Sequence, residues 1–203
     1  MKRPAILPSR LLFAGSLILA ATFLQCSKPT PQPVQESRST PVELRLEAGP
    51  RINLDSRGNA LSVVVRTYQL KDLGEFSKLT VEKASSDRPA AELVGQDLVS
   101  SAEYTVVPGT TAVKTESLKP ETRYVAVVAL FRQPDPQFWR VALDAKALRP
   151  APAAAESKGF FSRSSASKPA EVQAKTVVLK VNENSIAVEG LAYVPLPGQP
   201  ASR

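Results

Sequence analysis

YVAVVALF, residues Tyr124 to Phe131, carries no polar side chain apart from the phenol of Tyr124. A strand with one wet face alternates apolar and polar residues, whereas this run is apolar on both faces and reads as a central strand covered on each side. Its neighbours in sequence supply the rest of a sheet system. Val42, Leu44 and Leu46 alternate with Glu43, Arg45 and Glu47, one face in and one out. Leu61 to Leu70 (LSVVVRTYQL) is rich in β-branched residues. Tyr104–Val107 and Ala112–Leu118 flank Pro108-Gly109, which predicts a hairpin with a tight turn. Trp139–Leu143 reads as a short strand, and Thr176–Val181 with Ser185–Val188 as a closing hairpin across Asn182-Glu183-Asn184.

One helix interrupts the strands. Asp72 is placed to cap it, Glu75 three residues on completes a capping-box-like pair, and Phe76 and Leu79 share a face. A further helical turn is expected near Ala90–Val94. About eight closely spaced strands with one or two short helices define an all-β fold, an antiparallel β-sandwich. The arginines on strand segments, Arg66, Arg123, Arg132 and Arg140, are expected to face solvent.

Composition excludes much chemistry. The 203 residues contain no His, one Cys and one Met. A Ser-His-Asp triad, a Cys-His dyad, a His-bound zinc and a histidine pH switch are therefore impossible, as are an intrachain disulfide and a Cys-rich metal site. No phosphate-loop, dinucleotide, hydrolase-elbow or zincin pattern occurs. Ser165-Ala166-Ser167-Lys168 has the Ser-x-x-Lys spacing but sits in a low-complexity stretch, where a lysine is not buried and so keeps its proton. Asp135 and Asp144 flank Phe138-Trp139, the one arrangement suggesting a carboxylate pair beside a sugar platform. Asp135 lies between two prolines in a turn and Trp139 opens a strand, so both read as structural.

The net charge of +7 has definite addresses. Lys2, Arg3 and Arg10 precede an apolar run from Leu11 to Leu24, the layout of a secretory signal; about 14 residues is short of the roughly 20 that span a bilayer. The run ends at the only cysteine, Cys26, so residues 1–25 read as a signal peptide and Cys26 as the acylated first residue of a lipoprotein, with Gln25 departing from the small residue usual before it. Ser27 after the cysteine resembles the pattern directed to the outer membrane. Residues 26–41, with Pro29, Pro31, Pro33 and Pro41 among Gln, Ser and Thr, form a tether. The sandwich is assigned to residues 42–194, interrupted at 146–170 by a basic Ala/Ser/Pro-rich insertion, and residues 195–203 form a Pro-rich tail that should not continue a sheet.

Within the insertion Lys146, Arg149, Lys158, Arg163 and Lys168 stand against Glu156. With the three cations of the signal they account for the whole excess, and the remainder is balanced. Phe160 and Phe161 lie among Lys158, Arg163 and Lys168, a pattern suited to an anionic membrane surface, or else to a plain soluble linker. An exported chain meets little nucleic acid, so none is expected as a partner.

Taken together, RGNALSVVVRTYQLKD (57–72), ELVGQDLVSSAEYTVVPG (92–109) and LKPETRYVAVVALFRQPDPQFWRVAL (118–143) resemble the outer-membrane lipoprotein of type VI secretion systems, the TssJ (VasD, SciN) family. The likeness runs from about Val42 to Leu143 and again over the last hairpin. It implies a transthyretin-like β-sandwich without catalysis, held on the periplasmic side of the outer membrane by lipid on Cys26, with no other cofactor and no small-molecule substrate. It also implies a partner, the periplasmic C-terminal part of the inner-membrane protein TssM. In the family the loop between the first two strands is implicated in that contact. Here it is GPRINLDSRGN, residues 49–59, offering Arg51, Asn53, Asp55 and Arg57 as polar and Ile52 and Leu54 as apolar contacts. An apolar anchor ringed by polar groups is the usual form of an interface centre. The alternative function is a periplasmic β-sandwich module binding glycan or peptide.

Overall fold

The computed structural model describes residues 39–150 and 174–201. Eight strands form two four-stranded sheets. The strands are β1 (Thr40–Ala48), β2 (Val63–Leu70), β3 (Leu98–Val106), β4 (Thr111–Leu118), β5 (Tyr124–Leu130), β6 (Arg140–Asp144), β7 (Lys175–Val181) and β8 (Ile186–Glu189). One sheet has the order β4-β1-β7-β8, the other β3-β2-β5-β6. All pairs are antiparallel except β1 with β7, which run parallel.

The sandwich is the expected one, with one difference in pairing and one in strand length. Pro108-Gly109 does not close a hairpin: β3 pairs with β2 and β4 with β1, so the turn carries the chain from one sheet to the other. Pro and Gly specify a reversal, with Gly109 at φ 69°, but not which strands then pair. β3 also begins at Leu98, six residues before the expected start, because its edge position needs only one apolar face.

Alternation decides which side chains meet. Val42, Leu44 and Leu46 of β1 face Val63 and Val65 of β2, Val125 and Val127 of β5 and Leu179 of β7 in the inter-sheet core. Two polar residues of β2 also point inward. Gln69 donates to the Ser117 carbonyl and accepts from the Lys119 amide and the Thr122 hydroxyl, and Thr67 donates to Glu116 at 2.6 Å. Both are buried without loss because every bond is made within the fold.

β5 is the doubly covered strand its composition requires. Its other face, with Ala126 and Val128, joins Tyr68, Leu70, Phe76, Leu79, Val94, Trp139 and Leu196 in a second core. The cover is residues 71–97, with α1 (Gly74–Ser77), α2 (Val81–Ala84), α3 (Ala90–Val94) and a 3-10 turn at Gly95–Asp97. α1 differs from expectation at its start. Asp72 accepts from the Gly74 amide rather than capping deeper in the helix, Leu73 holds the N-cap position, and Glu75 pairs with Lys78. Four residues leave no room for a capping box.

Arg140 corrects a second expectation. It is 7% exposed and donates from Nη1 to the carbonyls of Phe76 and Leu79 and from Nη2 to that of Ser77. It therefore satisfies the carbonyl end of α1 rather than facing water. Arg66 is partly covered too, bonded to Glu103 and to the Ala84 carbonyl. Residues 195–201 form no strand, as the prolines require, yet Leu196 is 4% exposed and Gln199 donates to the carbonyls of Gln137 and Arg140. The tail thus packs along β6.

Candidate functional site

β1, β3, β5 and β7 all deliver the chain to one end of the sandwich, where residues 49–62, 107–110, 131–139 and 182–185 form the connections. The opposite end holds Thr40, where β1 begins, and its register partner Leu118.

The 49–59 segment is built rather than loose. Asp55 accepts from the amides of Arg57 and Asn59 and from the Asn59 side chain, closing a turn on itself. These bonds, chiefly the one from the Asn59 side chain, hold the Asp55 carboxyl below its usual 3.8. Gly58, at φ 80°, completes that turn in a conformation L side chains rarely adopt.

Ile52 and Asn53 turn inward rather than to the surface. Ile52 is 0% exposed and belongs to the inter-sheet core. Asn53, at φ 50° and buried, donates to the Ser62 carbonyl and accepts from the Arg132 amide, while its own amide reaches the Glu183 carbonyl. Together they fix the loop to its two neighbours. Arg51 and Arg57 are exposed, and Leu54 and Asp55 half-buried, so four of the six expected residues remain at the surface. Leu54 lines a shallow cavity of about 60 Å³ with Phe131, Gln133 and Glu183.

The sheet-changing corner joins this surface. Gly109 donates its amide to the Gly49 carbonyl, and Ala48 to that of Thr110. On either side of the corner stand Val107 and Val113, each 49% exposed, the two large hydrophobic residues that protrude most among the described residues. Sequence reasoning passed over both. Their exposure follows from the change of sheet, which puts Val113 opposite Arg45 on the solvent face of β1.

The residues considered for chemistry are occupied elsewhere. Asp135 accepts from the amides of Gln137 and Phe138, and Asp144 caps a short helix, α4 (Ala145–Leu148), through the Lys146 amide. Trp139 is 5% exposed and so closed to a sugar, while the half-buried Phe138 forms a T-shaped pair with Tyr193 at 6.5 Å. Among the described residues no group of His, Cys, Asp or Glu could hold a metal ion, and no helix is long and apolar enough to cross a membrane. Cys26, Ser165 and the insertion residues Lys158, Phe160, Phe161, Arg163 and Lys168 lie outside the described residues.

What fold and site define is a β-sandwich that presents a structured loop surface at one end, the architecture of a binding scaffold. The family model described as type VI secretion lipoprotein, VasD, EvfM, TssJ matches residues 40–184, and the chain belongs to that family. No curated protein matches it. Solved structures do. The lipoprotein TssJ1 of Pseudomonas aeruginosa is similar at 22% identity and TM-score 0.54, over 78% of this chain and 99% of that one. Lip of Serratia marcescens, a membrane-bound component of the type VI secretion system, is similar at 17% and 0.56, over 74% and 96%. A chain in a structure described as the TssM C-terminal domain from EAEC is similar at 23% and 0.54, over 74% and 98%. At these identities the structures establish the shared fold.

Proposed function

We propose that this lipoprotein is a non-enzymatic scaffold of the type VI secretion envelope complex. Lipid on Cys26 holds it to the outer membrane facing the periplasm, and the loop end binds the periplasmic C-terminal part of a TssM-like protein. The observation that carries the reading is the exposed pair Val107 and Val113 beside a corner hydrogen-bonded to the 49–59 loop. Two exposed apolar residues flanking a corner bonded to the loop that carries Arg51, Leu54 and Arg57 supply the apolar and polar parts that an interface centre and its rim combine. Direction supports it as well. β1 leads from the end where the tether joins to the loop, so the contact surface points away from the anchored end across about 30 Å of extended strand.

The basic residues Lys158, Arg163 and Lys168, with the aromatic Phe160 and Phe161, are assigned to the membrane face. Support comes from the described residues on either side of that segment. Arg149 bonds to the Lys119, Pro120 and Thr122 carbonyls, and Lys175 stands opposite Val42 in the register, both at the tether end.

Two experiments test the proposal. Replacing Cys26→Ser should release the protein from outer-membrane fractions and abolish secretion. Val107→Asp combined with Arg51→Glu should abolish co-purification with the periplasmic part of TssM while leaving the melting temperature unchanged. Membrane retention in the first case, or undiminished capture in the second, overturns the corresponding part.

A further inference from the structure

The helical cover of the β3-β2-β5-β6 sheet stops short at the β3 edge, leaving a cavity of about 340 Å³. It lies between β2, β3 and the segment that joins α2 to α3, at the lower end of the size range of ligand pockets. Pro89, Ala90 and Leu93 give it an apolar side.

Its polar side is unusual. Tyr68, 1% exposed, lines the cavity, and its hydroxyl is the one buried side-chain polar atom among the described residues without a hydrogen-bond partner. The Arg66 guanidinium is its charged neighbour in the same wall of the cavity. Burial pushes the Tyr68 phenol up from its usual 10.0, so it remains a proton donor at neutral pH.

Next to it Arg66 is held in place by Glu103 at 2.6 Å through Nε and by the Ala84 carbonyl at 2.7 Å through Nη1. No hydrogen bond among the described residues uses its Nη2. Arg88 is exposed at the rim. Two guanidinium groups against the single Glu103 carboxylate leave one positive charge for an incoming anion to balance.

We propose that this cavity binds a carboxylate, and that the carboxylate is an acidic side chain of an extended peptide segment of a protein partner lying along β3. Charge selects the ligand. A guanidinium fixed by backbone and carboxylate contacts is pre-organised for one more carboxylate, and Arg88 at the rim supplies a second cationic donor. The strand selects the form. β3 is the edge of its sheet, with no strand among the described residues on its outer side, so an extended peptide can add there and send alternate side chains over the cavity. The site lies on the flank of the sandwich, and nothing in it depends on the loop-end contact.

The test uses the mature lipoprotein in detergent micelles with the blocked peptide acetyl-Thr-Val-Glu-Val-Thr-amide and its Gln counterpart. The Glu peptide should bind at least about tenfold more tightly than the Gln peptide. Binding should slow hydrogen exchange at the β3 amides of Ser101, Glu103 and Thr105. Arg88→Glu, at an exposed position, should remove the preference with no change in melting temperature, and Ala90→Trp should block the cavity. Equal affinity of the two peptides, or a preference that survives Arg88→Glu, overturns the proposal. Sodium acetate binding as tightly as the peptide, without protection of β3, overturns the peptide as occupant.

Discussion

The guanidinium of Arg140 lies 4.9 Å from the centre of the Trp139 ring, two consecutive residues stacked on each other at the start of β6. The same group stands 5.6 Å from the Phe76 ring. A cation between two aromatic faces, with three carbonyls of one helix end as acceptors, ties the helical cover to the sheet beneath it. Burial draws the Arg140 pKa downward, but a guanidinium keeps its proton at any ordinary pH.

Replacing Arg140 should therefore unfasten the cover. Arg140→Met keeps much of the volume but leaves the carbonyls of Phe76, Ser77 and Leu79 without their donor, at a cost of about 2–4 kcal/mol. Arg140→Lys should recover less than half of the loss, since an ammonium lacks the fork that reaches three acceptors. Urea unfolding of the two variants measures this. A lysine variant as stable as the parent would show that charge alone, without the fork, secures the helix.

Asn53 makes a second, backbone-dependent prediction. Asn53→Ala loses the bonds to Ser62 and Arg132 and also puts an ill-suited residue at φ 50°, costing about 2–3 kcal/mol together. Asn53→Gly loses the same bonds without the conformational penalty and should be the more stable by about 1 kcal/mol. Both should weaken capture of the TssM-like partner although the side chain is buried, because the loop loses its side-chain attachment to residues 62 and 132. Chemical denaturation and pull-down, compared for the two variants, decide the matter.

These two residues also mark where the sequence stopped being informative. The strands were legible because alternation at Val42, Leu44 and Leu46 and the doubly apolar β5 report burial directly. The burial of Arg140 depends on carbonyls of α1 and the residues just after it, 61 to 64 residues away, and that of Asn53 on an amide 79 residues away. No local pattern reports such partners. Pairing across the Pro108-Gly109 corner, and the parallel β1–β7 pair, were hidden for the same reason: a turn motif fixes local geometry while pairing is chosen by distant side chains. Within the candidate loop, length and composition report only that apolar residues stand among polar ones. They could not separate Ile52, which turns inward, from Leu54, which stays at the surface.

A third prediction concerns pH. On the solvent face of the first sheet Lys180 bridges Glu47 and Glu189, and Arg45 also reaches Glu47 at 2.9 Å. Hydrogen bonds from Lys180 first and Arg45 second hold Glu47 below its usual 4.5, and those same carboxylates raise Lys180 above 10.5. For Glu47 the stabilisation is present above its unfolded pKa and lost as pH falls through the lower folded value. For Lys180 it is present below the unfolded pKa and lost as pH rises through the higher folded one. The melting-temperature advantage of the parent over Lys180→Met should thus be flat between about pH 5 and about pH 10 and shrink on both sides. The group is exposed, so the plateau should be small and fall further in high salt. A difference that persists unchanged at low pH would assign the effect to the methylene packing of Lys180 instead.

The tail supplies the last prediction. β6 is the edge of its sheet, and the Val194 amide reaches the Ala142 carbonyl while Gln199 bonds to the Gln137 and Arg140 carbonyls. Leu196 is inserted among Trp139, Leu79 and their neighbours of the outer core. The prolines that keep this segment from being a strand also stop it from extending the sheet, so it covers an edge that would otherwise be open to pairing with other chains. Ending the chain after Val194 should expose that edge and remove Leu196, lowering stability by about 2–4 kcal/mol and raising the tendency to aggregate. Leu196→Ala within the intact tail should cost about 2–3 kcal/mol without aggregation, since the edge stays covered. Light scattering during thermal unfolding separates the two variants. Aggregation of the leucine variant to the same extent as the truncation would mean that loss of the outer core, rather than exposure of the β6 edge, drives association.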